Sequence, residues 1–234
     1  MKAAPPLRSL TVHFLRHSQA LHNVRAEPLR AAGCTFSEFL AAMKADDALD
    51  APLTAKGVED TRKLAASLRA TAHPALECTL LVASPLSRAL RTADLALPPA
   101  ACGAKRIAQP LWREISGLLL NAKHRPRAAL EREFPGWDFA AVAEDDEGFD
   151  LAELEGREAC GARAVAGLEW IFSLPPALTA GGVAVACHGG ILSYMAESGR
   201  VEVEGWGKFG NCEMRTCTVT ETGGGFEIEV KESA

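Results

Sequence analysis

The sequence has no apolar stretch approaching the ~20 residues that a membrane-spanning helix needs, so no membrane partner is expected. It also lacks a paired C-x-x-C knuckle. Its cysteines, Cys34, Cys78, Cys102, Cys160, Cys187, Cys212 and Cys217, are odd in number and scattered. That argues against a disulfide framework or a structural zinc site, and it makes a reducing compartment, the cytoplasm, the default. Cys212 and Cys217 lie close together without nearby histidines and read as core thiols. There is no basic excess. Lys and Arg total 25 against 30 Asp and Glu, for a formal net charge of −5, which argues against nucleic acid or an anionic surface as a general partner. Met1 to Leu10 is too short and too Pro-rich for a signal peptide, although a transit peptide already removed, and so an organellar location, stays open. No internal repeat or low-complexity tract is present.

What is there fits one α/β domain over residues 1–234. Hydrophobic residues make up 48% and charged residues 24%, an ordinary balance for a soluble chain long enough to bury a full core. Two histidines each follow a short apolar run. Thr11 to Leu15 leads into Arg16-His17-Ser18, and Gly182 to Cys187 leads into His188-Gly189-Gly190. Both runs read as buried strands that stop at a polar turn. If they are neighbours in one sheet, Arg16, His17 and His188 converge in one cationic crevice.

Between them, residues 36–48 (Phe36, Phe39, Leu40, Met43) have helical spacing. Thr54 N-caps a helix to about Ala70, with Leu64, Ala65 and Leu68 on one face. Thr79 to Ala83 is a second strand, ending at Ser84-Pro85, where Ser caps and Pro opens the next helix, to about Leu97. Ile107 to Leu111 suggests a third strand before Trp112-Arg113-Glu114. From about 116 to 150 the pattern breaks down into an irregular substrate-side insertion. It carries a basic patch (Lys123, His124, Arg125, Arg127) that reads as solvated, a short helix, and an acidic run from Glu144 to Glu147. A long amphipathic helix spans Leu154 to Phe172, and another runs from Gly190 to about Ser198. Met214–Thr220 and Phe226–Val230 read as a β-hairpin on one sheet edge.

The alternation predicts a three-layer sandwich, with a mostly parallel central sheet and helices on both faces. Ligands bind such sheets at the carboxyl ends of the strands. Arg16-His17, Ser84, Glu114 and His188 all fall just after a predicted strand.

Several segments taken together resemble a known family. Leu15-Arg16-His17 with Asn23 six positions on is similar to the R-H-G motif of the histidine phosphatase superfamily, which has the phosphoglycerate mutase-like fold. Leu53-Thr54-Ala55-Lys56-Gly57 resembles its L-T-x-x-G segment. Ser84-Pro85-Leu86-Ser87-Arg88-Ala89 with Thr92-Ala93 resembles its S-P-L-x-R-x-x-x-T-A segment. Arg113-Glu114 resembles the segment that supplies its acid, and Cys187-His188-Gly189-Gly190 resembles its second catalytic histidine. The order and spacing agree from Thr11 to about Thr218. Arg16 to Asn23, Phe134 to Phe139 and Asn211 to Arg215 look most like a plant and fungal branch of the superfamily. Departures are Ser18 in place of the usual Gly, and Asp60 and Arg91 where glutamines are common. Arg91 reads as a solvated surface residue.

The resemblance implies a metal-independent phosphomonoesterase, with no cofactor, acting on a small phosphorylated metabolite. His17 would attack phosphorus and carry a phosphohistidine. Arg16 and Arg88 would hold the phosphoryl oxygens. His188 would neutralise developing charge, and Glu114 would protonate the leaving alkoxide. Asn23 would reach the phosphate or position its loop, and the amides at Gly189 and Gly190, opening a helix, would favour the anion. Glu131, Glu133 and Asp145 are the alternative carboxylates for the acid. The runner-up is phosphoglycerate mutase-type phosphoryl transfer, although Trp112 to Gly117 lacks the Glu-Arg-His-Tyr-Gly segment of true mutases. A non-catalytic phospho-ligand binding protein is the third reading.

Overall fold

A computed structural model describes residues 7–233 of the chain. Most of the Met1–Leu10 segment therefore lies outside the described residues. Seven strands form one sheet: β1 (Ser9–Arg16), β2 (Leu80–Ala83), β3 (Lys105–Ala108), β4 (Val183–Cys187), β5 (Val201–Val203), β6 (Met214–Glu221) and β7 (Phe226–Ser233), in the order β3-β2-β4-β1-β6-β7-β5. The helices are α1 (Asn23–Ala31), α2 (Phe36–Ala45), α3 (Ala55–Ala70), α4 (Ser87–Ala96), α5 (Arg127–Glu133), α6 (Arg157–Ser173), α7 (Pro176–Thr179) and α8 (Gly189–Ala196). The result is a three-layer α/β fold with a mixed sheet. Strands β1 to β4 pair in parallel, while β6 runs antiparallel to both β1 and β7.

Strand β4 sits between β1 and β2 and is buried along its whole length, which is why it reads as an unbroken apolar run. Its side chains alternate. Val183, Val185 and Cys187 join a core cluster with α6 and α8, whereas Ala184 and Ala186 join another with α3 and α4. The register pairs Arg16 with Cys187 across β1 and β4. The two histidine-bearing turns therefore leave the sheet side by side at its carboxyl edge.

Several boundaries differ from the sequence reading. Ser84-Pro85 does not open α4. A turn intervenes, in which Ser84 Oγ accepts from the Leu86 amide at 3.3 Å, and the helix begins at Ser87. Its first amide is capped from a distance instead, by the Asp50 carboxylate at 2.8 Å. Asp50 holds a left-handed backbone with φ of 49°, an arrangement kept by its bonds to Ser87 and Arg125. The third strand is Lys105–Ala108 rather than Ile107–Leu111, because Pro110 has no amide to offer a ladder and starts a 3-10 turn. Helix α6 begins at Arg157, after Gly156, rather than at Leu154. The C-terminal hairpin is not the edge of the sheet, since β5 pairs outside β7.

The stretch 116–150 contributes Leu130, Phe134, Trp137, Phe139 and Val142 to the α3–α4 core cluster. Its basic patch is not solvated. His124 is buried beside Asp146, Arg125 bonds Asp50 and Glu133, and Arg127 pairs with Glu131 and Glu144. Cations paired in this way anchor the loop and leave little charge over for a ligand. Arg91 is a surface residue, paired with Glu133 at 3.1 Å.

Candidate active site

His17 directly follows β1 and is buried. Its backbone is fixed on both sides. The amide donates to the Cys187 carbonyl at 2.9 Å, and its own carbonyl accepts from the Cys212 amide and from Asn211 Nδ2, each at 3.3 Å. Cys212 is thus a half-buried turn residue with left-handed backbone (φ 64°), rather than the core thiol its spacing suggested. Cys217 does lie in the core.

The ring of His17 has a defined tautomer. Nδ1 lies 2.7 Å from the Ser18 carbonyl, an acceptor only, so Nδ1 carries the proton and Nε2 keeps a lone pair. The Nε–H of Arg88 donates to that Nε2 at 3.3 Å. Burial, then the charges of Arg88, Arg16 and His22, hold the His17 pKa well below that of an ordinary histidine, against the opposing effect of the Ser18 bond. The ring is neutral at physiological pH. Ser18 does not adopt a left-handed backbone, so a glycine is not required there.

His188 lies with its ring centroid 4.9 Å from that of His17. Burial, followed by Arg88, His17, His22 and Arg16, lowers its pKa as well. Both of its ring nitrogens are buried without a hydrogen-bond partner among the described residues, as are Arg16 Nε and Arg88 Nη2. Buried polar groups are nearly always paired, so this cluster of unpaired groups around the His17 lone pair marks a place for an anion. Arg88 is held by the Asn121 carbonyl at 2.5 Å. Burial pushes its pKa down to about 10, which leaves it a cation at neutral pH. Arg16 donates to the Phe209 carbonyl at 2.8 Å and is ion-paired with Glu27. Among the described residues no group of three or more His, Cys, Asp or Glu is arranged to hold a metal ion.

Arg88 and His188 are fully buried beside His17, and Glu114 lines a cavity with Arg16 and His17. Its carboxylate accepts from the amides of Ile115 at 2.9 Å, Gly190 at 3.2 Å and Ile191 at 3.1 Å. The N-terminus of α8 therefore already holds an anion, and that anion is the protein's own carboxylate. This corrects the expectation that the Gly190 amide is open to a ligand. The two glycines instead make room. A Cβ on Gly190 would stand 2.2 Å from Glu114 Oε1, and one on Gly189 would stand 3.1 Å from Arg16 Nε. Glu131 and Glu133 are engaged on the outer surface with Arg127, Arg91 and Arg125, and neither they nor Asp145 line the cavity.

Asn23 lines the cavity, but its Oδ1 is occupied by the Ala20 amide at 3.0 Å. It shapes the turn after His17 and keeps only its NH2 for a ligand. Two further residues enter the site that the sequence reading gave no role. His22 is buried with its ring 5.9 Å from that of His17. Glu27 lies one helical turn beyond Asn23 on α1. The i, i+4 spacing was the signal for Glu27, but it has meaning only once α1 is known to be a helix. Ser84 Oγ is used locally and is absent from the cavity lining.

The family model of the histidine phosphatase superfamily (branch 1) matches residues 37–232. The match includes the Ser84–Arg88, Glu114 and His188 segments and begins after Arg16-His17. A probable phosphoglycerate mutase from Enterobacter sp. (strain 638) is 31% identical over 142 residues, 59% of this chain. The chain spans about three-fifths of the length of that curated relative, 61%. Among solved structures, a mycobacterial glucosyl-3-phosphoglycerate phosphatase superposes with a TM-score of 0.54 at 17% identity, covering 95% of this chain and 97% of its own. A phosphoglycerate mutase from Bacillus anthracis gives 0.54 at 19%, covering 96% and 93%. The silkworm ecdysone phosphate phosphatase, in complex with tungstate, gives 0.56 at 14%, covering 95% and 92%. With the family model spanning most of the sequence, the chain belongs to the histidine phosphatase superfamily, branch 1.

Proposed function

We propose that the protein is a metal-independent phosphomonoesterase that hydrolyses small organic phosphates through a phosphohistidine on His17. One observation carries this reading: the lone pair of His17 Nε2, which accepts a 3.3 Å bond from Arg88 Nε, lies beside buried donors with no partner among the described residues. A phosphoryl group bound there meets Arg16 Nε and Arg88 Nη2, whose guanidinium groups suit its oxygens. Nε2 attacks phosphorus in line as the ester oxygen leaves, and Glu114, beside Gly190, takes up a proton from water as the ester binds and passes it to that oxygen. The carboxylate then helps a water attack the phosphohistidine, which returns the histidine and releases phosphate. Burial and the neighbouring cations hold the His188 pKa well below that of an ordinary histidine. A bound dianion favours its protonation, so its positive charge arrives with the substrate and opposes the charge that builds on the equatorial oxygens. The fixed cations do the charge neutralisation that a metal does elsewhere.

The second reading is mutase-type transfer, favoured by the partial match to a probable mutase. It needs cations for the substrate's carboxylate; Arg30 in the cavity wall is paired with Glu27 at 2.8 Å, while Arg157 and Lys208 line the same cavity. A non-catalytic binding role gives no use to a buried imidazole whose Nδ1–H tautomer keeps a lone pair on Nε2. Within the superfamily we group the chain with the plant and fungal branch on the segments Arg16–Asn23, Phe134–Phe139 and Asn211–Arg215. We assign it to the cytoplasm on its unpaired cysteines, with a small phosphorylated metabolite as its partner and neither nucleic acid nor membrane. No helix of the described residues is long and apolar enough to cross a membrane.

Rapid acid-free quenching during turnover of an aryl phosphate, followed by peptide mass spectrometry, tests the mechanism. A phosphoryl group on His17, with turnover unchanged by chelator, is the expected result. Turnover with no label on His17, or turnover abolished by chelator, overturns it.

A further inference from the structure

The cavity that begins at His17 does not end at the phosphate-binding groups. It has a volume of about 360 Å³ and extends to a wall made by α2. Phe36, Phe39, Leu40 and Met43 fall at positions i, i+3, i+4 and i+7 of that helix, a continuous apolar stripe. Such a stripe normally faces a core, yet none of the four belongs to either core cluster. Only Ala42 of α2 is buried, and Phe36 is 49% exposed. The stripe faces the cavity instead, with Ile115, Leu154 and Tyr194 among the other lining residues.

Two of the arginines and the threonine near this wall are already engaged, while the Lys208 and Glu197 side chains lie elsewhere on the cavity lining. The guanidinium of Arg157 lies 5.8 Å from the ring centroid of Phe36 and 5.7 Å from that of Tyr194. Arg30 is paired with Glu27 and lies 5.8 Å from the Phe39 centroid. Thr35 spends its hydroxyl on a capping box with Glu38. A polyhydroxylated ester seated against the four apolar side chains of the stripe would lose water from its hydroxyls with no polar group on that face to replace it. An apolar body would instead gain by covering the stripe.

We propose that the substrate is a phosphomonoester of an apolar alcohol, with an alkyl or ring body that lies against Phe36, Phe39, Leu40 and Met43 while its phosphoryl group sits at His17. This rests on the phosphatase reading for the reaction, but the shape and chemistry of the wall stand apart from it.

The test uses straight-chain alkyl phosphates from ethyl to octyl, whose leaving alkoxides are nearly alike, beside glycerol phosphate and glucose 6-phosphate. Binding of the matching alkylphosphonates, which have no ester bond to cleave, is measured in parallel by calorimetry. We expect kcat/KM to rise about threefold for each added methylene until the cavity is filled, and the phosphonate Kd to fall in step. Phe39→Ser should lower kcat/KM for octyl phosphate about tenfold more than for ethyl phosphate. Phe39 is not a core residue, so a folding failure is not expected; Met43→Ser provides an independent second variant. A flat series in both turnover and binding, or hydroxylated esters preferred over alkyl esters of equal length, overturns the inference and leaves the hydrolytic reading standing. Phosphonate affinity that rises with chain length while no ester is turned over supports the apolar site and overturns the hydrolytic reading.

Discussion

The two ends of the cavity are built differently. At the His17 end the framework is tied down: His17 is held through its amide, carbonyl and Nδ1, Arg88 by the Asn121 carbonyl, and Glu114 by three amides. His17 and His188 follow β1 and β4, Arg88 lies in the first turn of α4, and Glu114 caps the start of α8. At the α2 end the capping box of Thr35 and Glu38 fixes the start of the helix, and the wall itself is apolar side-chain surface. Side chains from one half-buried helix face the space, and stacked arginines join that helix to its surroundings. The difference separates reaction from selection. Groups that must meet phosphorus need fixed positions within a fraction of an ångström, whereas a surface that covers an apolar body needs only area and shape.

Substitutions at the two ends should therefore fail in different ways. The largest effect is expected from His17→Ala. It should lower kcat by about four orders of magnitude or more for every ester tested, with circular dichroism unchanged; residual activity that varies from ester to ester would break the division. Glu114→Gln comes next. It should slow alkyl phosphates by about a hundredfold and aryl phosphates by less than about tenfold, because aryl leaving groups need less help from an acid. Equal slowing of both classes would place the proton donor elsewhere. The smallest expected change is in pH response. The His17 pKa is depressed, so the ring stays neutral until the pH is far below 6.5, and protonation on the acid side removes the nucleophile. Nitrogen NMR of the free protein should show the Nδ1–H tautomer of His17 persisting at pH values where an ordinary histidine is half protonated, and a midpoint near the ordinary histidine value would show that the rigid end is more solvated than its geometry implies.

The rigid end was the legible one. Arg16, His17, Arg88 and His188 follow apolar runs that can only be buried strands or helices packed on them, and punctuation by Ser, Pro and Gly fixes where those runs stop. Glu114 was legible by position only; that it caps α8 depends on packing between segments 76 positions apart. Asp50, which caps α4 and steadies Arg125, gave no signal, since its role rests on a left-handed turn remote from its partners. Helix α1 was missed because Asn23–Ala31 is largely polar and contains Pro28. With it went the placement of Glu27 beside Arg16. The spacing of Phe36, Phe39, Leu40 and Met43 announced a helix with an apolar face, but periodicity gives a face and not what covers it. The expected solvated patch at Lys123–Arg127 failed for the same reason, as its partners come from other segments.

The pairing of Arg16 with Cys187 carries a consequence for how this protein comes into being. The strand that presents the nucleophile and the strand beside it are separated by most of the described chain. The segment from Arg16 to Glu27 brings together one side of the centre, but Arg88, Glu114 and His188 reach it only through distant contacts. Contacts between such distant parts of a chain form late, after most of the loop-closing entropy has been lost. Catalytic competence should therefore appear last on the refolding time course, after the bulk of the helical signal has returned, which would make turnover a probe of the final closure of the sheet.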